Sequence, residues 1–268
     1  MIRIISDIHF GDRASRVMHL NMLLPLFDGA EHVIFNGDTL DTRLGPNPQK
    51  TAEESAEVNA FIKRLDFPVT CITGNHDPDF SLIHHLDLAL GQVLVMHGDL
   101  AFDSIVPWAR DAALLKHQIK KTIEGLGGIV SFEQKLIIYR ALSLALPQGH
   151  QAEVNSFKYG VKFLKDTAWP PWRLLGMVEA WRTMPMKTAY VVQHARPKAR
   201  FVITGHTHWP GVWKTQQGIT VLNTGSFCRP LGCAVVELTE TTLVLRHVRL
   251  KKGSYYPAEQ ICELSLAH

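Results

Sequence analysis

A run of about eighteen apolar residues, the least that spans a bilayer as a helix, is missing from this 268-residue chain. No transmembrane segment is expected. The N-terminus also lacks a basic segment, an apolar run and a cleavage site in series, so no secretory signal is expected. Cysteine is scarce: Cys71, Cys228, Cys233 and Cys262 are the four. Cys71 sits in an apolar run, and no second pair or neighbouring histidine joins Cys228 and Cys233 in a zinc pattern. Reduced thiols in a cytoplasmic protein are the expectation, without disulfides. The charge balance is slight, at +3. No nucleic-acid-reading motif accompanies it, so a nucleic-acid partner is not indicated. With 46% apolar and 20% charged residues, the chain reads as an ordinary packed globule, one large domain or one domain carrying an insertion.

Within that frame, five polar motifs follow one another. They are Asp7-Ile8-His9, Gly37-Asp38-Thr39-Leu40-Asp41, Gly74-Asn75-His76-Asp77, His97-Gly98-Asp99 and Gly205-His206-Thr207-His208. Each directly follows an apolar, β-branched run: Ile2 to Ile5, His32 to Phe35, Val69 to Thr73, Gln92 to Met96 and Phe201 to Thr204. In α/β sheets, ligands bind outside the carboxyl ends of the strands. Five polar tips on five strand ends are therefore expected to converge, and convergent carboxylates and imidazoles argue for an enzyme.

The first hundred residues alternate strands with helical spacing, at Val17, Leu20, Leu23, Leu24 and Phe27 and more loosely at Ala56, Ala60, Ile62 and Leu65. That is the βαβ pattern of a largely parallel sheet. Leu44 to Thr51, with two prolines and a glycine, reads as a loop. From Val106 to Arg200 the character changes: 15 Lys/Arg stand against 6 Asp/Glu, a net of +9. Helical spacing dominates there, at Leu114, Leu115, Ile119 and Ile123 and then from Leu136 to Leu146, with Gly125, Gly127 and Gly128 between. After Phe201, short apolar runs at Gly211 to Lys214, Ile219 to Asn223, Cys233 to Leu238 and Thr242 to Val248 predict antiparallel hairpins completing a second sheet.

Mixed imidazole and carboxylate ligands suit zinc, manganese, iron or nickel, whereas an all-oxygen cage suits magnesium or calcium. The number of donors allows two metals. Such a pair, typically about 3.5–4 Å apart, clamps the attacking and leaving oxygens of a phosphoryl displacement and generates hydroxide near neutral pH. One carboxylate must hold the two repelling cations together. Asp38 is the candidate, and Gly37 before it permits close backbone approach.

The ordered set DxH, GDxxD, GNHD, a lone His and GHxH resembles the calcineurin-like metallophosphoesterase superfamily, over residues 1–99 and from 201 to about 250. The resemblance implies an α/β (α+β) fold, a four-layer αββα sandwich, with a core of 1–105 and 200–268 and a helical cap over 106–199. It implies that Asp7, His9, Asp38 and His208 hold one divalent ion. Asp38, Asn75, His97 and His206 would hold a second, with manganese ahead of iron or zinc. His76 matches a non-ligand histidine that contacts phosphate and protonates the leaving oxygen, and Asp41 the carboxylate that orients it. A general acid needs an ionisable group near neutrality and a partner fixing its tautomer. Asn223-Thr224-Gly225-Ser226 matches an Asn-Pro-Gly-Ser turn with Thr in place of Pro. The implied reaction is dimetal-dependent hydrolysis of a phosphoester or pyrophosphate by a metal-bridging hydroxide, on an anionic phosphate-containing substrate.

Within the superfamily, His97-Gly98-Asp99 followed by a helical insertion looks like the UDP-2,3-diacylglucosamine pyrophosphohydrolases of lipid A biosynthesis. His76 departs from that group's main branch, which carries Arg there; the retained imidazole points toward poorer leaving groups. A general phosphomonoesterase or phosphodiesterase acting on nucleotides or nucleic acid is the alternative. A catalytically silent scaffold is the alternative of another class, against which all seven ligand positions stand filled. Asp12, Asp77 and Asp99 are expected as supporting or turn residues, Arg43 and Asp103 as solvated loop residues with substrate contact as the lesser alternative, and the nine histidines outside the motifs as surface or structural. Trp169-Pro170-Pro171-Trp172-Arg173 and Trp181-Arg182 suggest a lid or a membrane-surface contact. The plainer and favoured expectation is a tryptophan-rich helix packed on the main domain or on a partner copy. The location expected is cytoplasmic, with peripheral contact at the inner membrane surface as the further option.

Overall fold

The N-terminal apolar run forms β1 (Ile2–Ile5), and a sheet grows from it in both directions. A computed structural model describes residues 1–148 and 171–266. On one side β2 (His32–Asn36) and β3 (Val69–Ile72) add in parallel. On the other, β9 (Ala234–Leu238), β10 (Thr242–Lys251) and β11 (Ser254–Ser265) add antiparallel, giving the order β11-β10-β9-β1-β2-β3. The second sheet is built from β4 (His85–Leu88), β5 (Val93–Met96), β6 (Phe201–Thr204), β7 (Gly211–Lys214) and β8 (Thr220–Asn223), in the order β4-β5-β6-β8-β7. Its central strands β5, β6 and β8 run parallel, and its two edges antiparallel.

Alternation along each strand sorts side chains into layers. Ile4, Ile34, Ile72, Val236 and Leu245 of the first sheet meet Val93, Val95, Ile203 and Leu222 of the second in a dry core between them. The opposite faces of the first sheet, Ile5, Val33 and Phe35, pack on Leu23, Phe27, Val58 and Phe61. The last two belong to helix α1 (Pro48–Lys63). On the far side of the second sheet, Leu94, Met96, Val202 and Val221 cover Ala180, Met184, Ala189 and Val192, which lie on the long helix α4 (Pro171–Ala195). Helix, sheet, sheet and helix make the αββα sandwich expected. Between β5 and β6 also lie α2 (Ala112–Gly125) and α3 (Phe132–Leu144), which share a small core of Leu115, Ile119, Leu136 and Tyr139 with Leu100 and Ile105.

Several expectations are corrected. The spacing around Leu20–Phe27 yields a 3-10 helix with Pro25 inside it, where a missing N–H weakens a regular α-helical ladder. The loop read over 44–51 gives way to α1 at Pro48, because Asn47 caps it by accepting from Lys50 N–H at 3.1 Å and Pro48 suits the first turn. That helix buries Glu54, Val58 and Phe61 rather than Ala56 and Ala60, which are exposed. The C-terminal hairpin strands join the first sheet, not the second. Ala234, Val235 and Val236 of β9 are fully buried, so that strand needs cover on both faces and takes a central place beside β1.

One ion pair bolts α3 to the strand ends. Arg140 is 4% exposed and meets Asp99 with two hydrogen bonds, Nη1 to Oδ2 at 2.6 Å and Nη2 to Oδ1 at 2.9 Å. Its Nε donates to Thr73 Oγ1 at 3.0 Å. Burial would push the Asp99 carboxyl up, but Arg140 holds it below the ordinary carboxylate range. Removing one member of such a pair strands a buried charge, at about 3–5 kcal/mol. Arg140→Met is therefore expected to lower unfolding free energy by about that much in urea titrations. A change under about 1 kcal/mol, the worth of an exposed pair, would show that the pair does not anchor the helix.

Candidate metal centre

The motif residues leave their strands through left-handed backbone. Asp7, His9, Asp38, His206 and His208 have φ of 51°, 47°, 53°, 67° and 61°. Among the described residues only nine non-glycine positions have positive φ, so strain is concentrated here. Each such residue costs on the order of 1–3 kcal/mol and persists only where its surroundings over-determine it. They do: Asp7 N–H donates to Gly37 O at 3.0 Å, His9 N–H to Asp38 O at 2.9 Å, and Phe227 N–H to Asp7 O at 3.1 Å. Two glycines permit the crowding. A Cβ on Gly37, whose φ is +83°, would stand 2.5 Å from His97 Nδ1, and one on Gly205 would overlap Asp7 and Ser6.

All seven residues expected as ligands come together. His208 Nε2 lies 3.2 Å from Asp7 Oδ1 and 3.2 Å from His9 Nε2. His97 Nε2 lies 3.2 Å from Asp38 Oδ2 and 3.1 Å from Asn75 Oδ1, which is 2.8 Å from His206 Nδ1. His9 Nε2 stands 3.8 Å from both Asp7 Oδ1 and Asp38 Oδ2. Two groups of potential donors result, Asp7 with His9 and His208, and Asp38 with His97 and His206; Asp38 also groups with His9 and His76. Octahedral ligands about 2.1 Å from one ion stand about 3 Å apart, so these separations suit a cation in each group with Asp38 between.

Ring tautomers agree. His97 Nδ1 donates to Asn36 O at 3.1 Å and His206 Nε2 to Ile105 O at 2.9 Å. Each ring thus spends its outward nitrogen on a backbone carbonyl and turns the other toward the cluster, the arrangement that second partners impose on metal-bound histidine. Burial pushes His9 and His206 down to about 4, so both are neutral near pH 7. His97 is opposed by burial too, but the neighbouring Asp38 carboxylate carries it up to about 10. A cation and a proton compete for that nitrogen.

A family model described as calcineurin-like phosphoesterase matches residues 1–210. The chain belongs to the calcineurin-like phosphoesterase family. This calcineurin-like phosphoesterase therefore belongs with metal-dependent phosphoester hydrolases that use a dinuclear centre, and it carries candidate donor groups for one. Among solved structures, a dimetal phosphatase from Danio rerio is 13% identical, with 98% of this chain and 97% of that one covered and a TM-score of 0.46. A Vps29 single mutant from Entamoeba histolytica is 12% identical, with 99% of each chain covered and a TM-score of 0.42. Vps29 from Chaetomium thermophilum is 10% identical, with 100% and 95% covered and a TM-score of 0.42. No curated protein sequence matches the chain. No helix among the described residues is long and apolar enough to cross a membrane.

Around the cluster, Asp12 caps a turn at Ala14 N–H, 2.7 Å away. Asp77 accepts from Asp38 N–H at 3.0 Å, Thr39 N–H at 2.7 Å and Gly74 N–H at 2.6 Å. Asn223 secures the Gly205–Thr207 turn through Gly205 O at 2.6 Å and Thr207 Oγ1 at 3.1 Å. His32, His84 and His85 are partnered structural residues, by Thr70, Thr73 and Arg196 respectively. Trp169 and Pro170 lie outside the described residues. Trp172 is exposed, while Trp181 donates to Thr207 O at 2.8 Å and packs at a tilt against Trp209, ring centres 4.7 Å apart. Trp108, which the sequence reading left unused, lies over His206 with ring centres 5.4 Å apart.

Arg43 is the main correction. It is not solvated but 7% exposed, and it grips Asp41 and His76. Nothing in a single sequence separates it from an ordinary loop arginine.

Asp77 yields a test. In Asp77→Asn an amide –NH₂ must face a backbone N–H, so the loop carrying Asp38 loses part of its support. Mn(II) affinity, measured by calorimetry, is expected to fall roughly 10–100-fold, the usual effect of losing a ligand's orienting partner. Unchanged affinity would remove Asp77 from the support of the centre.

Proposed function

We propose that this chain is a dimetal hydrolase of phosphoesters or pyrophosphates, in which Asp7, His9, Asp38 and His208 hold one ion and Asp38, Asn75, His97 and His206 the other. The convergence of these seven side chains, with the outward ring nitrogens of His97 and His206 spent on backbone carbonyls, carries the reading. Manganese is the expected metal, with iron or zinc next, from the mix of imidazole and oxygen donors. When bound, such a pair supplies Lewis acidity and a water acidic enough to act as nucleophile near neutral pH.

The chain's own residues set the rest. His76 sits at the rim with its side chain 22% exposed and its ring 4.9 Å from that of His9. Its backbone N–H is fixed on Asp38 Oδ1 at 2.8 Å and its Nδ1 faces Asp41 Oδ2 at 3.0 Å. Nε2 is thereby left for the phosphoryl group or the leaving oxygen. Of segment 106–199, α2 and α3 act as a cap in this reading, supported by the seating of Trp108 against His206, while α4 is the outer layer of the sandwich and rests Trp181 on Thr207 O. A lid over an acylated nucleotide sugar at a membrane surface is its most specific form, consistent with the net +9 of residues 106–200.

A side-by-side screen with Mn(II) tests the reading, using a phosphomonoester, a phosphodiester, a nucleoside pyrophosphate and UDP-diacylglucosamine. Preference for the acylated compound establishes the lipid substrate; equal rates on simple esters exclude it. Asp38→Asn is expected to lose metal and to lower kcat by at least roughly a hundredfold, whereas His76→Ala loses a comparable amount of activity with metal content near wild type. Full turnover in Asp38→Asn would overturn the dimetal assignment.

A further inference from the structure

Charge is placed unevenly in a way that the net of +3 conceals. Residues 241–258 hold Arg246, Arg249, Lys251 and Lys252 and no Asp or Glu. They make up most of the β10–β11 hairpin, which turns at Lys252-Gly253. In the register that sets Ile4 opposite Val236 and Val236 opposite Leu245, Val248 falls level with the strand end that carries Asp7. Arg249, Leu250 and Lys251 continue past it. The tip thus overhangs the end of the molecule where the donors gather, by about 10 Å and about 10 Å to the side. Val248 and Tyr255 pack on the outer core, so alternation turns Arg249, Lys251 and Tyr256 to the other face, toward the second sheet.

The hairpin is also joined to the donors. Tyr255 meets Phe227 edge to face, ring centres 5.0 Å apart, and Phe227 N–H donates to Asp7 O at 3.1 Å. Arg16 N–H donates to Phe227 O at 3.0 Å and Arg229 N–H to Ala14 O at 3.2 Å, which brings two further exposed arginines to the same rim. Arg249 is shared with Glu259 at 2.9 Å, both side chains 59% exposed. Lys251, Lys252, Arg16 and Arg229 have no carboxylate within ion-pair distance among the described residues.

We propose that this basic, aromatic hairpin docks a single-stranded nucleic acid, whose backbone crosses Arg249, Lys251 and Lys252 and brings one of its phosphodiesters to the donor cluster. Phosphates repeated along a strand match cations at the tip and at the rim, whereas a monophosphate would engage the centre alone. Tyr256, 37% exposed beside Arg249, offers a π-face to an unpaired base. Backbone contact and stacking need no base-reading motif. A bilayer would instead require apolar surface to bury, and Leu250 is the one exposed large aliphatic side chain of the hairpin among the described residues. The inference rests on the phosphoesterase reading for the cut, and selects the phosphodiester among its substrates. In the cut, the oxygen of water bonds to phosphorus while the bond from phosphorus to one sugar oxygen breaks. That oxygen keeps the electron pair and takes one proton of the water; the other proton leaves the new phosphomonoester for solvent.

Fluorescence anisotropy of the Mn(II)-loaded full chain tests this, with a labelled phosphorothioate oligothymidylate of about a dozen nucleotides that is slow to be cut. Log Kd is expected to rise with log[NaCl], with a slope of about 0.7 for each phosphate neutralised. Combining Arg249→Gln, Lys251→Gln and Lys252→Gln is expected to lower that slope by about 2 and to raise Kd at least roughly tenfold at low salt. Tyr256→Ala is expected to weaken binding roughly tenfold with the slope unchanged. Both variants should keep the wild-type kcat on p-nitrophenyl phosphate, while kcat/KM on an ordinary oligothymidylate falls with the affinity. Wild-type protein that ignores the oligonucleotide, or holds it with no salt dependence, would overturn the proposal even if the variants did not fold. So would an unchanged slope in the triple variant, or tighter binding to phosphatidylglycerol vesicles than to the oligonucleotide. Salt-dependent binding through the hairpin with turnover of no phosphorus compound would instead sink the phosphoesterase reading, and leave the hairpin as the nucleic-acid surface.

Discussion

The structure depends on holding Asp38 where two sets of donors can share it. Asp38 is 1% exposed, on left-handed backbone, beside His97 Nε2 and within reach of His9. A buried carboxylate is expensive unless paired and hydrogen-bonded. Burial alone would push Asp38 up, yet the imidazoles around it, His97 first, hold it well below the ordinary carboxylate range. That balance explains what surrounds it. Its backbone N–H is tied to Asp77, its Oδ1 takes the His76 N–H, and the neighbouring loop from β1 is laced to it through His9 N–H. Asp77 in turn is pushed up to about 6 by burial and by Asp38 itself, so the support is electrostatically uneasy and holds through backbone donors.

Much of this was legible in the residues because it is local. A β-branched run ending in a polar tip marks a strand end wherever it occurs, and β1 and β6 have the boundaries that their runs suggested. The doubly covered sheet follows from the same runs, since strands such as β5 are buried along their whole length. Less local features were not legible. β11 carries Pro257, Glu259 and Gln260 and is mostly half-exposed, so its twelve residues show no clean alternation. Whether β9 joins one sheet or the other depends on which face needs cover, which periodicity does not say. At the site, the convergence of the five motifs was legible from their order. The carbonyls of Asn36 and Ile105 and the guanidinium of Arg43 were not, because backbone acceptors have no sequence signature and Arg43 gains its meaning from His76, 33 residues away.

The segment between β5 and β6 is more than an addition to this arrangement. Ile105, in left-handed conformation at φ 61° and fully buried, provides the carbonyl that fixes His206. Arg140 spans Asp99 after the β5 strand end and Thr73 after the β3 strand end. Gln148 then holds the loop beyond Asp41, donating from Nε2 to Asp41 O at 2.7 Å and from its N–H to Leu44 O at 2.8 Å. Three points along one segment thus touch the residues beside His206, His97 and His76. A displacement of α3 would act on ligand orientation as well as on access, since the same side chains that seat the helix also support the strand ends.

That placement bears on how the two halves of the site divide their work. The donor groups sit at the bottom of strand-end loops whose conformations are over-determined by backbone hydrogen bonds. His76 and Asp41 are more open, with side chains 22% and 18% exposed, and Asp41 is set by Arg43, whose backbone N–H and guanidinium both donate to it. Burial opposes ionisation of Asp41, but Arg43 and His76 keep its carboxyl well below the usual range. The pair is therefore a fixed ion pair against which the imidazole is set, rather than a carboxylate free to take up a proton. A change in the loop from Asp41 to Thr51, which Gln148 pins, would thus act on Arg43 and through it on His76, while the donors beneath keep their own backbone supports.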